Sequence, residues 1–147
     1  MGFLICDHTL AVIHLKRRNM LNTFVSLKTA FITDVWWRLK GVKQAGTTTT
    51  VHLDPEECRF YFHKLDEFEQ KADLALQDHR KLEVVYEDLS EKREEELQRI
   101  CAFLNVPHHS VSTRLKKQIL APVSEPVDNY SQLKEYFRGT KWSRFFE

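Results

Sequence analysis

The sequence lacks several features that would each define a class of protein. No apolar run approaches the roughly 20 residues that a membrane-spanning helix needs, and the apolar start of the chain has no basic segment of the kind that signal peptides carry. The three cysteines, Cys6, Cys58 and Cys101, form no Cys-x-x-Cys pair, which argues against a disulfide framework or a zinc site. We therefore expect a cytoplasmic protein with reduced thiols, no metal centre and no transmembrane segment.

An excess of charge of one sign is also lacking. The chain has 22 lysines and arginines against 21 aspartates and glutamates, for a formal net charge of +1. A nucleic-acid role rests only on Lys16–Arg18, and the overall balance argues against it. The chain does have aromatic residues, with ten Phe, four Tyr and three Trp in 147 residues, which is enough for one domain with a real core.

Hydrophobic periodicity predicts two short strands and two long helices. Residues 11–15 and 82–86 are short apolar runs rich in β-branched side chains, which is typical of buried strands. From residue 20 to about residue 35, apolar side chains recur at helical spacing on two sides, which predicts a well-buried helix. Asp-Pro-Glu-Glu at residues 54–57 is a capping sequence, and the helix that it begins is expected to run to about residue 78. Its apolar stripe includes Cys58 and Phe68.

Shorter elements are predicted elsewhere in the chain. They are a third strand at residues 1–6, a loop over 36–51, a cap at Ser90 for a helix at 94–104 that Asn105 ends, a short helix near 111–119, an irregular segment at 120–128, and a short helix at 131–137 before Gly139. Strands separated by long helices indicate an α/β fold with a parallel sheet. The sequence is rich in helix and poor in strand, as if part of the sheet were absent.

Two arginines follow the first predicted strand directly. Ligands of open parallel sheets bind beyond the carboxyl ends of the strands, which is where Arg17 and Arg18 are expected. The next helix would add free N–H groups and the positive end of its dipole, and a guanidinium matches the shape of a phosphate or sulfate. The pattern therefore indicates an anion site, although two solvated arginines at a strand end are an equally good interpretation of the residues.

The spacing of Arg18-Asn19 and Ser26 resembles a motif of sulfotransferases that use 3′-phosphoadenosine-5′-phosphosulfate (PAPS). Residues 12–21, VIHLKRRNML, and Val25-Ser26-Leu27 are similar to the bacterial-type branch, the nodulation and glycolipid sulfotransferases. The resemblance implies that Arg18 and Ser26 hold the 3′-phosphate of PAPS. Without it, Ser26 would be interpreted as a mid-helix serine that bonds back to a carbonyl one turn earlier.

Later segments carry the same resemblance, which spans most of residues 9–147. Residues 84–89, VVYEDL, followed by 100–106, ICAFLNV, are similar to a family segment of the form YEDL and FLGV. Asn105 stands in place of the glycine, and it too can adopt the left-handed conformation that ends a helix. Lys117-Gln118, Asn129-Tyr130 and residues 139–142 resemble the family's C-terminal end. In some members a basic stretch there touches the 3′-phosphate, which makes Arg138 a weaker candidate, with a solvated charge as the alternative.

Two parts of the family's site are not found. The family wraps the 5′-phosphosulfate in a loop of backbone N–H groups, and no Gly/Ser-rich phosphate loop precedes Arg18. We therefore expect residues 1–147 to be a partial domain, the 3′-phosphate half, from a truncated chain or a partial gene. The general base is also unidentified, and His8 or Asp7 is a weak candidate that could equally lie in a polar turn. His14 is expected to be a packed histidine.

The resemblance implies an incomplete P-loop-type, three-layer α/β fold. It further implies transfer of a sulfuryl group from PAPS to an acceptor hydroxyl of a small molecule or glycan, a carbohydrate or glycolipid above all. Two other hypotheses remain open, a non-catalytic remnant that binds a nucleotide or a partner protein, and a helical interaction module that uses residues 54–78. The oligomeric state is not indicated by the residues.

Overall fold

The computed structural model describes residues 7–39, 49–116 and 122–147. The strands are β1 (Ala11–Lys16), β2 (Arg38–Leu39), β3 (Arg80–Val85) and β4 (Leu115–Lys116). The helices are α1 (Met20–Thr33), α2 (Pro55–Ala75), α3 (Tyr86–Glu91), α4 (Arg93–Leu104) and α5 (Tyr130–Tyr136), followed by a 3₁₀ helix at Ser143–Phe146. The strand predicted at residues 1–6, Cys6 included, lies outside the described residues.

The described residues divide into two compact units. The first contains residues 7–18 and 66–112, and the second contains residues 19–39, 49–65, 113–116 and 122–147. Helix α2 runs through the boundary, with Leu65 in the second unit and Asp66 in the first. That residues 1–147 form one partial domain stays a prediction about the complete fold.

The first unit is built on a parallel pair of strands. β1 and β3 pair in register from Ala11 opposite Arg80 to Lys16 opposite Val85, which confirms both predicted strands and agrees with an α/β class. The expectation that the first strand is buried is wrong, since Ile13 and Leu15 of β1 are 40% and 52% exposed. Strand β3 begins two residues earlier than predicted, at Arg80. The aliphatic parts of Arg80 and Lys81 are compatible with a strand, but their charged ends kept these residues out of the apolar pattern. The strand also ends one residue earlier, since Tyr86 begins α3.

Helices α3 and α4 continue the first unit beyond β3. Helix α3 was not predicted, and Ser90 lies inside it, so the expectation that Ser90 caps the next helix is wrong. The cap residue of α4 is Lys92, whose side chain makes no capping bond. Asn105 ends α4 in the left-handed conformation, with φ of 57°, as predicted. The guanidinium of Arg99 ties α4 to the sheet by donating to the Glu83 carbonyl at 2.8 Å.

The second unit holds the larger apolar core. Its buried apolar residues come from α1, α2, α5, the segments that precede α2 and α5, and the C-terminal end: Met20, Leu21, Phe24, Val25, Val51, Leu53, Cys58, Phe62, Val127, Leu133, Phe137, Trp142, Phe145 and Phe146. The ring of Phe62 lies at its centre, with centroids of Phe137, Phe145 and Trp142 at 5.5, 5.2 and 6.1 Å. The aromatic C-terminal end is therefore core rather than surface.

Helix α1 is buried over only part of its length. Asn19 caps it by accepting from the backbone N–H groups of Leu21 and Asn22 at 2.9 and 3.3 Å. Its first turns enter the core, but Phe31 and Ile32 are 67% and 60% exposed. The expectation of a helix buried on two sides is thus wrong for its last turns, because periodicity shows which residues are apolar and not how far a core extends.

Helix α2 begins as predicted and ends early. The Glu57 N–H donates to Asp54 Oδ1 at 2.9 Å, which confirms the capping sequence. The helix stops at Ala75 rather than residue 78, and Phe68 is 61% exposed rather than part of a buried stripe. Cys58, by contrast, is fully buried as a free thiol, and this burial raises its pKa to about 12. It is a core residue and a poor nucleophile.

The remaining short elements depart from the predictions in one place. Residues 111–116 contain no helix, since Leu115 and Lys116 pair antiparallel with Leu39 and Arg38 inside the predicted loop. The rest of that predicted helix, residues 117–119, lies outside the described residues. Residues 122–128 are irregular and α5 begins within one residue of its predicted start, so both predictions are confirmed. In the described part of the chain, every helix is too short or too polar to cross a membrane.

Replacing Phe62 by Ala should destabilise the protein by about 3–5 kcal/mol, because it opens a cavity among three aromatic rings. Phe60→Ala is the matched control on the same helix. Phe60 is 64% exposed, so its loss should change the free energy of unfolding by no more than about 0.5 kcal/mol. Urea denaturation followed by circular dichroism measures both, and equal effects would contradict the described core.

Candidate anion site

The carboxyl ends of β1 and β3 bring two sequence motifs together in the first unit. Arg17 and Arg18 follow the last residue of β1, and Tyr86, Glu87 and Asp88 follow the last residue of β3. Since the two strands run parallel and in register, these ends meet at the same edge of the sheet. The result is an arginine pair that faces an acidic pair.

Arg18 is held by two carboxylates. Its side-chain NH2 donates to both oxygens of Asp88, at 2.9 Å to Oδ1 and 2.8 Å to Oδ2. Its backbone N–H donates to Glu87 Oε2 at 3.0 Å. The hydrogen bond to Asp88, and then the charge of Asp88, raises the pKa of the Arg18 guanidinium. The side chain is nevertheless 60% exposed, so solvent and ligands reach it.

Arg17 has defined partners of its own. Its guanidinium carbon lies 3.8 Å from the centroid of the Tyr86 ring, a cation–π contact. Its NH1 lies 3.8 Å from Glu87 Oε1. Neither arginine is therefore merely a solvated charge at a strand end. Glu87 interacts with both residues, which fixes the chain at Arg17 and Arg18, directly after β1.

Ser26 lies in the second unit, half-buried in the middle of α1. Within the described residues its hydroxyl makes no hydrogen bond, whereas Thr33 of the same helix bonds back to the Thr29 carbonyl at 2.7 Å. The back-bonded interpretation of Ser26 is therefore wrong, and its hydroxyl keeps its hydrogen-bonding capacity unused within the described residues. Arg18 belongs to the first unit, and the convergence of the two side chains on one phosphate stays a prediction.

The amino end of α1 offers fewer free N–H groups than the sequence suggests. The side chain of Asn19 already accepts from two of them, those of Leu21 and Asn22, and it donates through Nδ2 to the Phe145 carbonyl at 3.0 Å. An anion at this end would meet an amide cap rather than a bare helix terminus.

Arg138 lies on the surface of the second unit. Its side chain is 75% exposed and pairs with Glu135 Oε2 at 2.5 Å. Gly139 follows it with a φ of +74°, a backbone conformation that glycine adopts without strain. A surface ion pair accounts for this geometry, and a contact of Arg138 with phosphate stays a prediction.

Asp7 and His8 lie at the amino end of β1, the end opposite Arg18. The Asp7 carboxylate accepts from the Thr9 hydroxyl at 2.5 Å and from its N–H at 3.0 Å, and both bonds lower the pKa of Asp7. A lower pKa makes a weaker general base. The exposed ring of His8 packs against the ring of His79 with 5.0 Å between centroids. The geometry is that of a polar turn, and a catalytic part for His8 stays a prediction.

The sequence interpretation missed a charged network in the first unit. Residues at alternate positions of a strand share a face, so His14 and Lys16 of β1 lie beside Lys81 and Glu83 of β3. Asp73 of α2 joins them: its carboxylate accepts from Lys16 at 2.9 Å and from Lys81 at 2.8 Å. These two hydrogen bonds hold the pKa of Asp73 well below its usual range. The alternation was visible in the sequence, but the partner on α2 was not.

The network also decides whether its acidic residues could hold a metal. His14, Asp73 and Glu83 have ligand atoms within 4.8 Å of one another, and among the described residues no other group of this kind occurs. Lys16 Nζ, however, lies 2.9 Å from both carboxylates. The charges are thus balanced without an ion, and a cation would have to displace an ammonium. His14, 3.4 Å from Asp73 and 15% exposed, is packed as predicted.

Comparison with known proteins identifies relatives of the chain. A family profile described as "Sulfotransferase family" matches residues 10–110. Nodulation protein H of Rhizobium tropici is 30% identical over 132 residues, which cover 88% of this chain and 52% of that protein. Nodulation protein H of Rhizobium meliloti (strain 1021) is 29% identical over 140 residues, which cover 94% and 56%. The chain spans about half the length of these curated relatives, and no solved structure matches it.

Asp73→Asn should destabilise the protein near neutral pH, because it removes the carboxylate that both lysines share. The pKa of Asp73 is depressed in the folded state, so its contribution is present above its ordinary value of 3.8 and is lost as the pH falls through the lower folded value. The difference between wild type and variant should therefore narrow in acid. Urea unfolding at a series of pH values down to about pH 2 measures this difference in the free energy of unfolding. Asp78→Asn, which changes an exposed neighbour, is the control. A difference between wild type and Asp73→Asn that stays constant with pH would contradict the network.

Proposed function

Since the chain belongs to the sulfotransferase family, as its motifs predicted, we propose that it carries the 3′-phosphate half of an enzyme that transfers a sulfuryl group from PAPS. The matched residues 10–110 include β1, Arg18, Ser26 and the Tyr86–Asp88 motif. The observation that supports the proposal most is the position of Arg18, at the carboxyl end of a parallel strand and with an exposed guanidinium. Ligands of open parallel sheets bind at that edge.

In this proposal the residues of the chain anchor the nucleotide and do not themselves react. Arg18 donates charge-assisted hydrogen bonds to the 3′-phosphate, and the unused hydroxyl of Ser26 donates one more. Arg138 is a weaker third candidate. A 5′-phosphosulfate loop is not among the motifs found in residues 1–147. The complete fold of this proposal is a three-layer α/β fold of the P-loop type.

The proposed reaction is an in-line displacement at sulfur. An acceptor hydroxyl attacks the sulfur, the bond from sulfur to the 5′-phosphate oxygen breaks, and adenosine 3′,5′-bisphosphate leaves. The acceptor proton passes to a general base, for which His8 is the weak candidate within this chain. A carbohydrate or glycolipid hydroxyl is the proposed acceptor. Holding the nucleotide at its 3′-phosphate helps to align the reacting atoms, which is where such catalysis gains most.

Arg18→Ala should weaken binding of adenosine 3′,5′-bisphosphate by about 10- to 100-fold, the range for a lost charge-assisted hydrogen bond of about 1.5–3 kcal/mol. Ser26→Ala should weaken it by about 5-fold, because a single neutral hydrogen bond is worth about 1 kcal/mol. Titration calorimetry with each purified variant measures both changes.

Two controls make this experiment specific. Adenosine 5′-monophosphate lacks the 3′-phosphate, so neither substitution should alter its affinity. Arg59→Ala removes an exposed arginine whose Nε is bonded to Glu56 at 2.9 Å, and it should leave binding of the bisphosphate unchanged. Equal affinity of wild type and Arg18→Ala for the bisphosphate would refute the anchoring role. Transfer of labelled sulfate from PAPS to mixed glycan acceptors tests the reaction itself.

A further inference from the structure

We propose that Asp88 competes with the incoming phosphate for Arg18 and thereby determines how strongly, and for which anions, the site binds. The inference rests on the proposed function, because it concerns the same arginine. In the structure Arg18 is not an empty anion receptor but one half of a side-chain ion pair with Asp88. A ligand therefore competes with that carboxylate for the guanidinium.

The shape of the guanidinium makes a tightly bound phosphate compete with Asp88. A guanidinium presents two edges with paired, parallel N–H groups, one formed by Nε and NH2 and the other by NH1 and NH2. Both edges use NH2, and Asp88 accepts from that nitrogen with both of its oxygens. Within the described residues, Nε and NH1 of Arg18 have no partner. A phosphate can therefore take single hydrogen bonds at once, but at either edge a two-point contact has to use NH2, the nitrogen to which both Asp88 oxygens are bonded. The two anions thus compete for that nitrogen.

The surroundings allow the side chain to move while the backbone stays fixed. Glu87 bonds the Arg18 backbone N–H and not its guanidinium, and the Glu87 side chain is only 16% exposed. The Asp88 side chain is 30% exposed and that of Arg18 is 60% exposed. The carboxylate of Glu87 thus anchors the main chain, and that of Asp88 forms the exchangeable partner. Asp88 itself lies in the first turn of α3, where a negative charge is favourable without Arg18.

The exchange favours anions with two negative charges. When another singly charged group takes the place of the Asp88 carboxylate, the interaction energy of Arg18 changes little, because the charge that faces it is the same. A phosphate monoester is largely doubly charged near neutral pH, and it has three oxygens with which to grip the guanidinium. Asp88 therefore acts as a specificity residue that screens out carboxylates, chloride and sulfate esters while admitting a terminal phosphate such as the 3′-phosphate of a nucleotide.

The decisive variant is Asp88→Asn, which keeps the size of the side chain and removes its charge. Calorimetric titration with adenosine 3′,5′-bisphosphate and with inorganic phosphate, at constant ionic strength, should show about 2- to 5-fold tighter binding than wild type, since a competing surface ion pair is of that strength. Glu91→Gln is the matched control: Glu91 lies on the same helix and interacts with Arg18 through its charge without a bond. Its effect should stay below about 2-fold.

A double variant separates direct competition from general charge. In the Arg18→Ala background, adding Asp88→Asn should give no more than the small gain of Glu91→Gln, because the contested guanidinium is gone. A full gain in that background overturns the inference. The inference is also overturned if Asp88→Asn binds no more tightly than wild type while the single variant Arg18→Ala binds more weakly. That outcome leaves the proposed function intact.

The remaining outcomes are equally distinct. If Asp88→Asn binds inorganic phosphate more tightly than wild type but binds the bisphosphate no better than adenosine 5′-monophosphate, the competition stands and the nucleotide assignment fails. If neither probe binds Asp88→Asn, both are overturned. A measurement on the wild type covers the case in which the variant does not fold: carbon NMR of the Asp88 carboxyl group should shift as phosphate saturates the site. No shift at saturation refutes the exchange.

Discussion

The parallel pairing of β1 with β3 is the constraint on which the first unit depends. It places residues about 70 positions apart at one edge, so that Arg18 finds Asp88 and its backbone N–H finds Glu87. It also aligns the charged side chains of one sheet face with Asp73 of α2. An antiparallel pairing of the same strands would send the arginines and the acidic pair to opposite edges. Strand direction, rather than any single residue, therefore creates the candidate site.

In the proposed site, the ion pair of Arg18 with Asp88 would hold the guanidinium in place in the absence of a ligand. An unpaired guanidinium beside a sheet edge would bind many anions. A guanidinium bonded to a carboxylate would select among them, because each anion has to compete with that carboxylate. The cost is affinity, because part of the interaction energy with the ligand replaces the energy of the existing pair. The backbone bond from Arg18 to Glu87 keeps this balance local, since the chain need not move when the side chain does.

Local signals in the sequence predicted much of this structure. The Asp54 cap, the left-handed Asn105 and the two strands each depend on residues within a few positions, and all are confirmed. The bond between Arg18 and Asp88 joins residues 70 apart, and no spacing rule reveals it before the strand register is known. The exposed end of α1 was missed for a related reason: an apolar stripe at Phe31 marks a helix but does not say what packs against it. Family resemblance carried the functional assignment where local chemistry could not.

Each of the two units is stabilised internally by a different kind of interaction. The sheet face of the first unit is joined by ammonium and carboxylate groups at its surface, whereas the second unit is closed by rings that exclude water. Dissolved ions act on these forces in opposite ways. Simple electrolytes screen surface charges over distances of about 10 Å or less, and strongly hydrated anions such as sulfate reinforce apolar burial. Concentrated ammonium sulfate would thus weaken the ion pairs of the first unit and stabilise the apolar core of the second. The protein would then no longer unfold in one sharp transition.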